Sequence, residues 1–215
     1  MDVGHVQCLI DGLLTVLTIE QHEQAIQFIF GNAVVFSKSE FDIGWTQLVE
    51  HSIETADSKP VRQVLSRHPV AYLPQINEYV QQMQDNGIVE PRIGSEWVCN
   101  IVLVKKKDGA LRDCNDYRDL NAVTTKAIYP LPHTDVCHNS LGWNLYFSSL
   151  DMRSGFWQVP VREEYLNKTC FVTCKGIFGF KVLPFDLCNA PSTGWLKIKY
   201  PTRQYAISSQ PVVRF

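Results

Sequence analysis

Two apolar runs flank an Asp-Gly pair: Val98 to Val104 on one side and Leu111 to Tyr117 on the other, with Asp108-Gly109 between them. Asp-Gly favours a tight reversal, because glycine takes the positive φ that such a turn needs. The spacing therefore predicts an antiparallel hairpin with Lys105, Lys106 and Lys107 at its tip and Arg112 on the returning strand. Two functions fit a basic hairpin tip. It is either a solvated end or a clamp for phosphate, with lysine as a point charge and arginine as a bidentate fork.

A second constraint is the stretch Phe147 to Trp157. An apolar run, Leu145 to Leu150, leads into Asp151, and Ser154-Gly155 and two aromatics follow. The pattern predicts a buried strand that ends by presenting Asp151 at the mouth of a cleft. An acid there either caps a turn or meets a hard cation such as Mg²⁺. The bland account of Phe156 and Trp157 is that they are core residues.

The remaining periodicities predict an α+β chain. Thr18-Ile19-Glu20-Gln21 is a capping box that opens a helix to Phe30, ended by Gly31-Asn32, with Ile19, Ile26, Ile29 and Phe30 roughly on one side. Pro74 to Asn86 carries Ile76, Tyr79, Val80 and Met83 at helical spacing, with Gly87 as its stop. Residues 46 to 70 read as extended, with His51 at the surface and a turn at Asp57-Ser58-Lys59-Pro60. Strands are expected over Thr169 to Cys174 and Phe178 to Leu183, and a short helix near Thr134-Asp135. His133 and His138 lack the further ligands a zinc site needs.

Composition narrows the classes. With 45% hydrophobic residues the chain can bury a core, and its net charge of −2 means that any nucleic-acid partner must meet a local basic patch. The seven cysteines form no disulfide framework or zinc ribbon, which predicts a reducing, intracellular, unsecreted setting, cytoplasmic or nuclear. Cys170 and Cys174 read as two buried thiols on one face of a strand. The run from Leu13 to Ile19 is too short to span a bilayer, and no basic segment precedes it, so no membrane association is expected.

Four strings, in order, resemble reverse transcriptases of long-terminal-repeat (Ty3/gypsy-like) retrotransposon Pol polyproteins: residues 102–121, Tyr129-Pro130-Leu131-Pro132, residues 147–159, and Leu183 to Pro191. His51-Ser52-Ile53-Glu54-Thr55, followed by Pro60-Val61-Arg62, resembles the family's lead-in. The resemblance implies the fingers and partial palm of a right-hand polymerase, truncated before the Asp-Asp hairpin. The implied divisions are a helical linker at 1–45, lead-in and fingers at 46–145, partial palm at 146–194 and a non-matching basic tail at 195–215.

The same resemblance implies RNA-directed DNA synthesis, with an RNA template, a DNA primer, deoxynucleoside triphosphates and Mg²⁺ as partners. It makes Asp151 the catalytic carboxylate and, with the Met152 main-chain carbonyl, a metal ligand. It makes Lys106, Arg112 and Phe156 nucleotide contacts, Phe156 as the ring that excludes a 2′-hydroxyl. It places Asp116, Arg118, Asn121, Asn189 and Pro191 near template and primer.

Several positions depart from the family pattern. Both prolines ahead of the lysines are lost across Ser95 to Asn100, and Asp113 takes an apolar position beside Arg112. His133 and Thr134 follow the Tyr-Pro-Leu-Pro step. Asp186 replaces a glycine and Cys188 a threonine or serine. Ser192-Thr193-Gly194-Trp195 follows the family's next helix and then departs, and no Asp-Asp pair occurs in the sequence. Phosphoryl transfer of this class uses two ions about 4 Å apart, which one carboxylate does not hold. The expectation is therefore a polymerase segment without activity of its own, lacking the rest of the palm, the thumb and ribonuclease H. The alternatives are a noncatalytic single-stranded nucleic-acid-binding module and a nonfunctional transposon remnant.

Overall fold

The structure is a computed structural model that describes residues 4–13, 17–66, 69–105, 111–128, 135, 139 and 151–199; for 103–105, 111–113 and 195–199 it describes the backbone alone. The chain divides into two compact units. One is Met1–Trp45 with Pro130–Gly155 and Pro201–Phe215, and the other is Thr46–Tyr129 with Phe156–Tyr200. The expected strand leading into Asp151, the Tyr129 to Pro132 step, the residues His133, Thr134, Cys137 and His138, and most of the basic tail lie outside the described residues; of the expected helix near Thr134, Asp135 and Asn139 are described and are helical.

In the first unit, helix α1 spans Gln7–Asp11 and α2 spans Ile19–Gly31. The predicted capping box is present: the Gln21 amide donates to Thr18 Oγ1 at 3.2 Å, and the Thr18 amide donates to Gln21 Oε1 at 3.0 Å. Asn32 closes α2 by donating to Phe28 and Ile29 carbonyls. The packed cluster is Val6, Ile29, Ala33 and Phe36, with Leu9, Ile10 and Leu13 against it. Here the expected stripe is corrected: Ile19 is 82% exposed, because it is the first residue of the helix and its turn projects beyond this small cluster.

The second unit is built on a five-stranded sheet among the described residues, in the order β1-β5-β4-β2-β3. The strands are β1 Val89–Pro91, β2 Cys99–Lys105, β3 Leu111–Asn115, β4 Phe171–Thr173 and β5 Gly176–Phe180. The β2–β4 pair is parallel and the others are antiparallel. The hairpin has the expected form: Ile101 faces Asn115 and Lys105 faces Leu111 across β2 and β3, with 106–110 as the connection. The returning strand ends at Asn115, two residues before the expected limit, because Tyr117 turns inward to precede helix α4, Arg118–Val123. Tyr117 is 1% exposed and its hydroxyl donates to the Thr169 carbonyl at 2.8 Å, a buried tie between the hairpin and the segment before β4.

Helix α3, Leu73–Asp85, buries Ile76, Val80 and Met83 as its periodicity requires. Gly87, at φ +70°, lets its own amide reach the Gln84 carbonyl and the Ile88 amide reach the Met83 carbonyl, a Schellman ending that drives Ile88 into the core. The final helix, α5, spans Ala190–Lys199 and runs past Trp195, where the motif resemblance fades.

Three expectations change. His51 is 2% exposed, not a surface residue, because the inward set of the extended lead-in is His51, Ile53 and Thr55. Its main chain pairs with the Pro160 carbonyl and the Arg162 amide, and Lys168 Nζ donates to the Ile53 carbonyl and Thr55 Oγ1. Cys170 is buried but Cys174 is exposed, because β4 is only three residues long and turns at Cys174-Lys175. The expected strands Thr169 to Cys174 and Phe178 to Leu183 contract to β4 and shift to β5, with Glu163–Thr169 wound as a 3-10 helix ahead of them.

Candidate nucleic-acid and nucleotide site

Asp151 is exposed and belongs to the first unit, with Met152 next to it. Its carboxylate and the Met152 carbonyl are hard oxygen donors of the kind Mg²⁺ takes. Among the described residues, however, no group of three or more His, Cys, Asp or Glu side chains is gathered to hold an ion. Asp151 and the Met152 carbonyl alone do not make the donor set of a pair of divalent ions. Lys106 lies in the 106–110 connection, outside the described residues. Arg112 sits on β3 with its backbone opposite Val104, and Asp113 opposite Leu103.

The second unit gathers the other candidates from two segments far apart in sequence. The first runs from Asp116 through α4 to Ala127. Arg118 folds its guanidinium back onto Asp116, with Nε to Oδ1 at 2.8 Å and Nη2 to Oδ2 at 2.7 Å. These hydrogen bonds hold the Asp116 carboxyl below the usual carboxylate range. The pair is self-neutralising, so Arg118 stands as half of an ion pair rather than as a free cation.

Asn121 and Asn189 sew this segment to the second one, residues 185–189. Asn121 Nδ2 donates to the Asp186 carbonyl at 2.8 Å, and its Oδ1 accepts from the Cys188 amide at 2.9 Å. Asn189 answers in kind: Oδ1 accepts from the Ala127 amide at 3.0 Å and Nδ2 donates to the Thr125 carbonyl at 2.9 Å. Each amide thus acts like one more strand, satisfying a carbonyl and an N–H of the opposite segment. Asn121→Ala is expected to cost about 1 kcal/mol, since water reaches part of the site. Urea denaturation followed by circular dichroism checks this.

Asp186, whose carbonyl Asn121 holds, takes φ +69° and is exposed. Left-handed backbone costs an L-residue roughly 1 kcal/mol. Asp186→Gly is therefore expected to keep or raise the melting temperature while removing a negative charge from the face. Template–primer affinity should rise in a filter-binding titration, and an unchanged affinity would count against this face as the contact surface.

Phe156 lies in a 3-10 turn, Gly155–Gln158, and is half-buried. Its ring meets Phe185 edge-on, centroids 5.8 Å apart, and Trp157 lies 5.5 Å from the Phe185 ring. Pro191 is exposed in the first turn of α5, where its missing N–H costs nothing. The sequence reading left Phe185 and Gly194 without roles. Phe185 had a signal, an aromatic following Leu-Pro, but nothing local announces its partner 29 residues upstream.

A family model described as reverse transcriptase (RNA-dependent DNA polymerase) matches residues 104–205. An RNA-directed DNA polymerase homolog of Oenothera berteroana is 45% identical over 84 residues, covering 39% of this chain and 59% of that protein. Residues 104–205 belong to the reverse transcriptase family. The family match extends into the 195–215 segment that the motif reading leaves unmatched. The retrovirus-related Pol polyprotein of transposon 297 from Drosophila melanogaster is 31% identical over 159 residues, 69% of this chain and 14% of that polyprotein. This chain spans a small part of the polyproteins it matches. In fold it is similar to the crystal structure of prototype foamy virus protease–reverse transcriptase, with a TM-score of 0.79, 21% identity, and coverage of 91% of this chain and 26% of that one. That likeness agrees with the α+β, right-hand polymerase expectation. No helix among the described residues is long and apolar enough to cross a membrane.

Proposed function

We propose that residues 46–194 form the fingers and opening palm of an RNA-directed DNA polymerase, with residues 1–45 as a linker. Template and primer run over the face built by Asp116 to Ala127 and Phe185 to Pro191. The observation that carries this reading is the double asparagine clamp. It joins, within one unit, the two motif segments whose resemblance points to template and primer, and it sets Phe185 against Phe156. Lys106 and Arg112 serve the incoming triphosphate, and Phe156 stands beneath its sugar. Asp151 with the Met152 carbonyl contributes to Mg²⁺ binding once further carboxylates are supplied by other parts of a Pol protein. A cytoplasmic or nuclear setting is supported by the buried, unpaired thiols of Cys99 and Cys170, which burial pushes above the usual thiol range.

These 215 residues by themselves are expected to bind a primed RNA template without extending it. The test is a titration of the purified chain on labelled primed template at stepped salt, with Mg²⁺ and all four deoxynucleotides present. Binding that weakens steeply with salt, with no added nucleotide, supports the reading. Primer extension would overturn the expectation of inactivity, and no binding at the lowest salt would overturn the polymerase reading itself.

A further inference from the structure

Helix α5 carries a glycine in its interior, Gly194, although glycine is a poor helix residue. The structure gives a reason. A Cβ built at Gly194 would stand 3.1 Å from Phe156 Cε1, tighter than the ordinary contact distance, and 3.6 Å from Cδ1, an ordinary contact. The ring of Phe156 therefore lies directly on the helix backbone. Phe185 closes another side of the ring, edge-on at 5.8 Å.

Neither support can easily retreat. The residue before Gly194 is tied down: His51 Nδ1 and Thr193 Oγ1 are 2.9 Å apart, and the Thr193 amide donates to the Asn189 carbonyl. Asn189 is in turn clamped to Thr125 and Ala127. On the other side, the Phe156 carbonyl accepts from the Val159 amide, which fixes the turn that carries the ring. A methyl group at 194 would thus move the half-buried ring and not the helix, and it would move it away from its bed, toward solvent.

We propose that Gly194 is a positioning residue for Phe156: by letting the ring rest on α5 it sets how much room remains for the sugar of an incoming nucleotide. The proposal deepens the reading of Phe156 given under Proposed function and rests on it. A ring seated on glycine leaves the widest opening this turn allows, so the wild-type chain discriminates against ribonucleotides less strictly than a variant with any side chain at 194.

Two measurements separate the seat from the function. In ¹⁹F spectra of chain labelled with 4-fluorophenylalanine, with the Phe156 line assigned through Phe156→Leu, Gly194→Ala should move that line and Ser192→Ala on the same helix should not. An unmoved line overturns the proposal. In fluorescence titrations with Mg²⁺ and primed template, Gly194→Ala should raise the ratio of ATP to dATP dissociation constants by roughly threefold to tenfold. The change should fall mainly on ATP, and it should vanish in a Phe156→Ala background. An unchanged ratio, or the same change without the ring, overturns the role in specificity. A wild-type chain that binds neither nucleotide, with the fluorine line still moved by Gly194→Ala, overturns that role together with the nucleotide reading of Phe156.

Discussion

Phe171→Ala is expected to cost about 3–5 kcal/mol, a large share of the roughly 5–15 kcal/mol that holds a domain folded. Phe171 is fully buried at the centre of the sheet, on β4 between β5 and β2. Its ring stacks on Phe178 at 6.0 Å and leans on Phe180 at 5.3 Å. It also lines a cavity of about 40 Å³ with Tyr79, Met83, Ile101, Asn115 and Trp157. Truncation would merge the lost ring volume with that void, and neighbours fixed by the β-ladder cannot collapse into it. Phe28, 69% exposed on α2, supplies the contrast: Phe28→Ala should change stability by no more than about 0.5 kcal/mol. Urea midpoints by circular dichroism read both. A Phe171→Ala chain as stable as wild type would show that the sheet is not the core of this unit.

The second large effect is a pH dependence centred on His51. Burial pulls its imidazole down to about 4 from an ordinary value near 6.5. The folded state therefore keeps the ring neutral at pH values where the unfolded chain takes up a proton. Stability from this group is fully present above about pH 6.5 and is lost progressively as pH falls toward about 4, a span of about 3 kcal/mol. The contact at stake is local: the ring meets Thr193 on α5, and the main chain of His51 joins the 160–162 segment. Acidification should therefore loosen the lead-in and α5 together. In His51→Gln, denaturation midpoints between pH 6.5 and 5 should flatten relative to wild type. Parallel curves for the two proteins would contradict the assignment.

Much of this fold was legible because its signals are local. A capping box at Thr18, a proline at the start and a glycine after the end of α3, and Asp-Gly between two apolar runs each state a backbone requirement within a few residues. The sites were legible as segments, through motif order, but not as contacts. Asn121 and Asn189 read as template residues, whereas their side chains are spent on the backbone of the opposite segment, 62 to 67 residues away. A side chain's partner at that range is a property of the sheet topology and leaves no periodicity behind. His51 failed for a related reason. Alternation placed it on one side of an extended segment, but nothing in the alternation says which side is covered. The covering elements, Val161 and Thr193, come more than a hundred residues later.

Photocrosslinking tests the central claim most directly. A primed RNA template bearing photoreactive bases on either side of the primer end would be bound to the purified chain at low salt, irradiated, and the adducts located by peptide mass spectrometry. If this is a polymerase fingers and palm segment, the adducts fall within residues 111–128 and 183–194. Adducts confined to residues 4–36, or none that survive competition by unlabelled template, would contradict it.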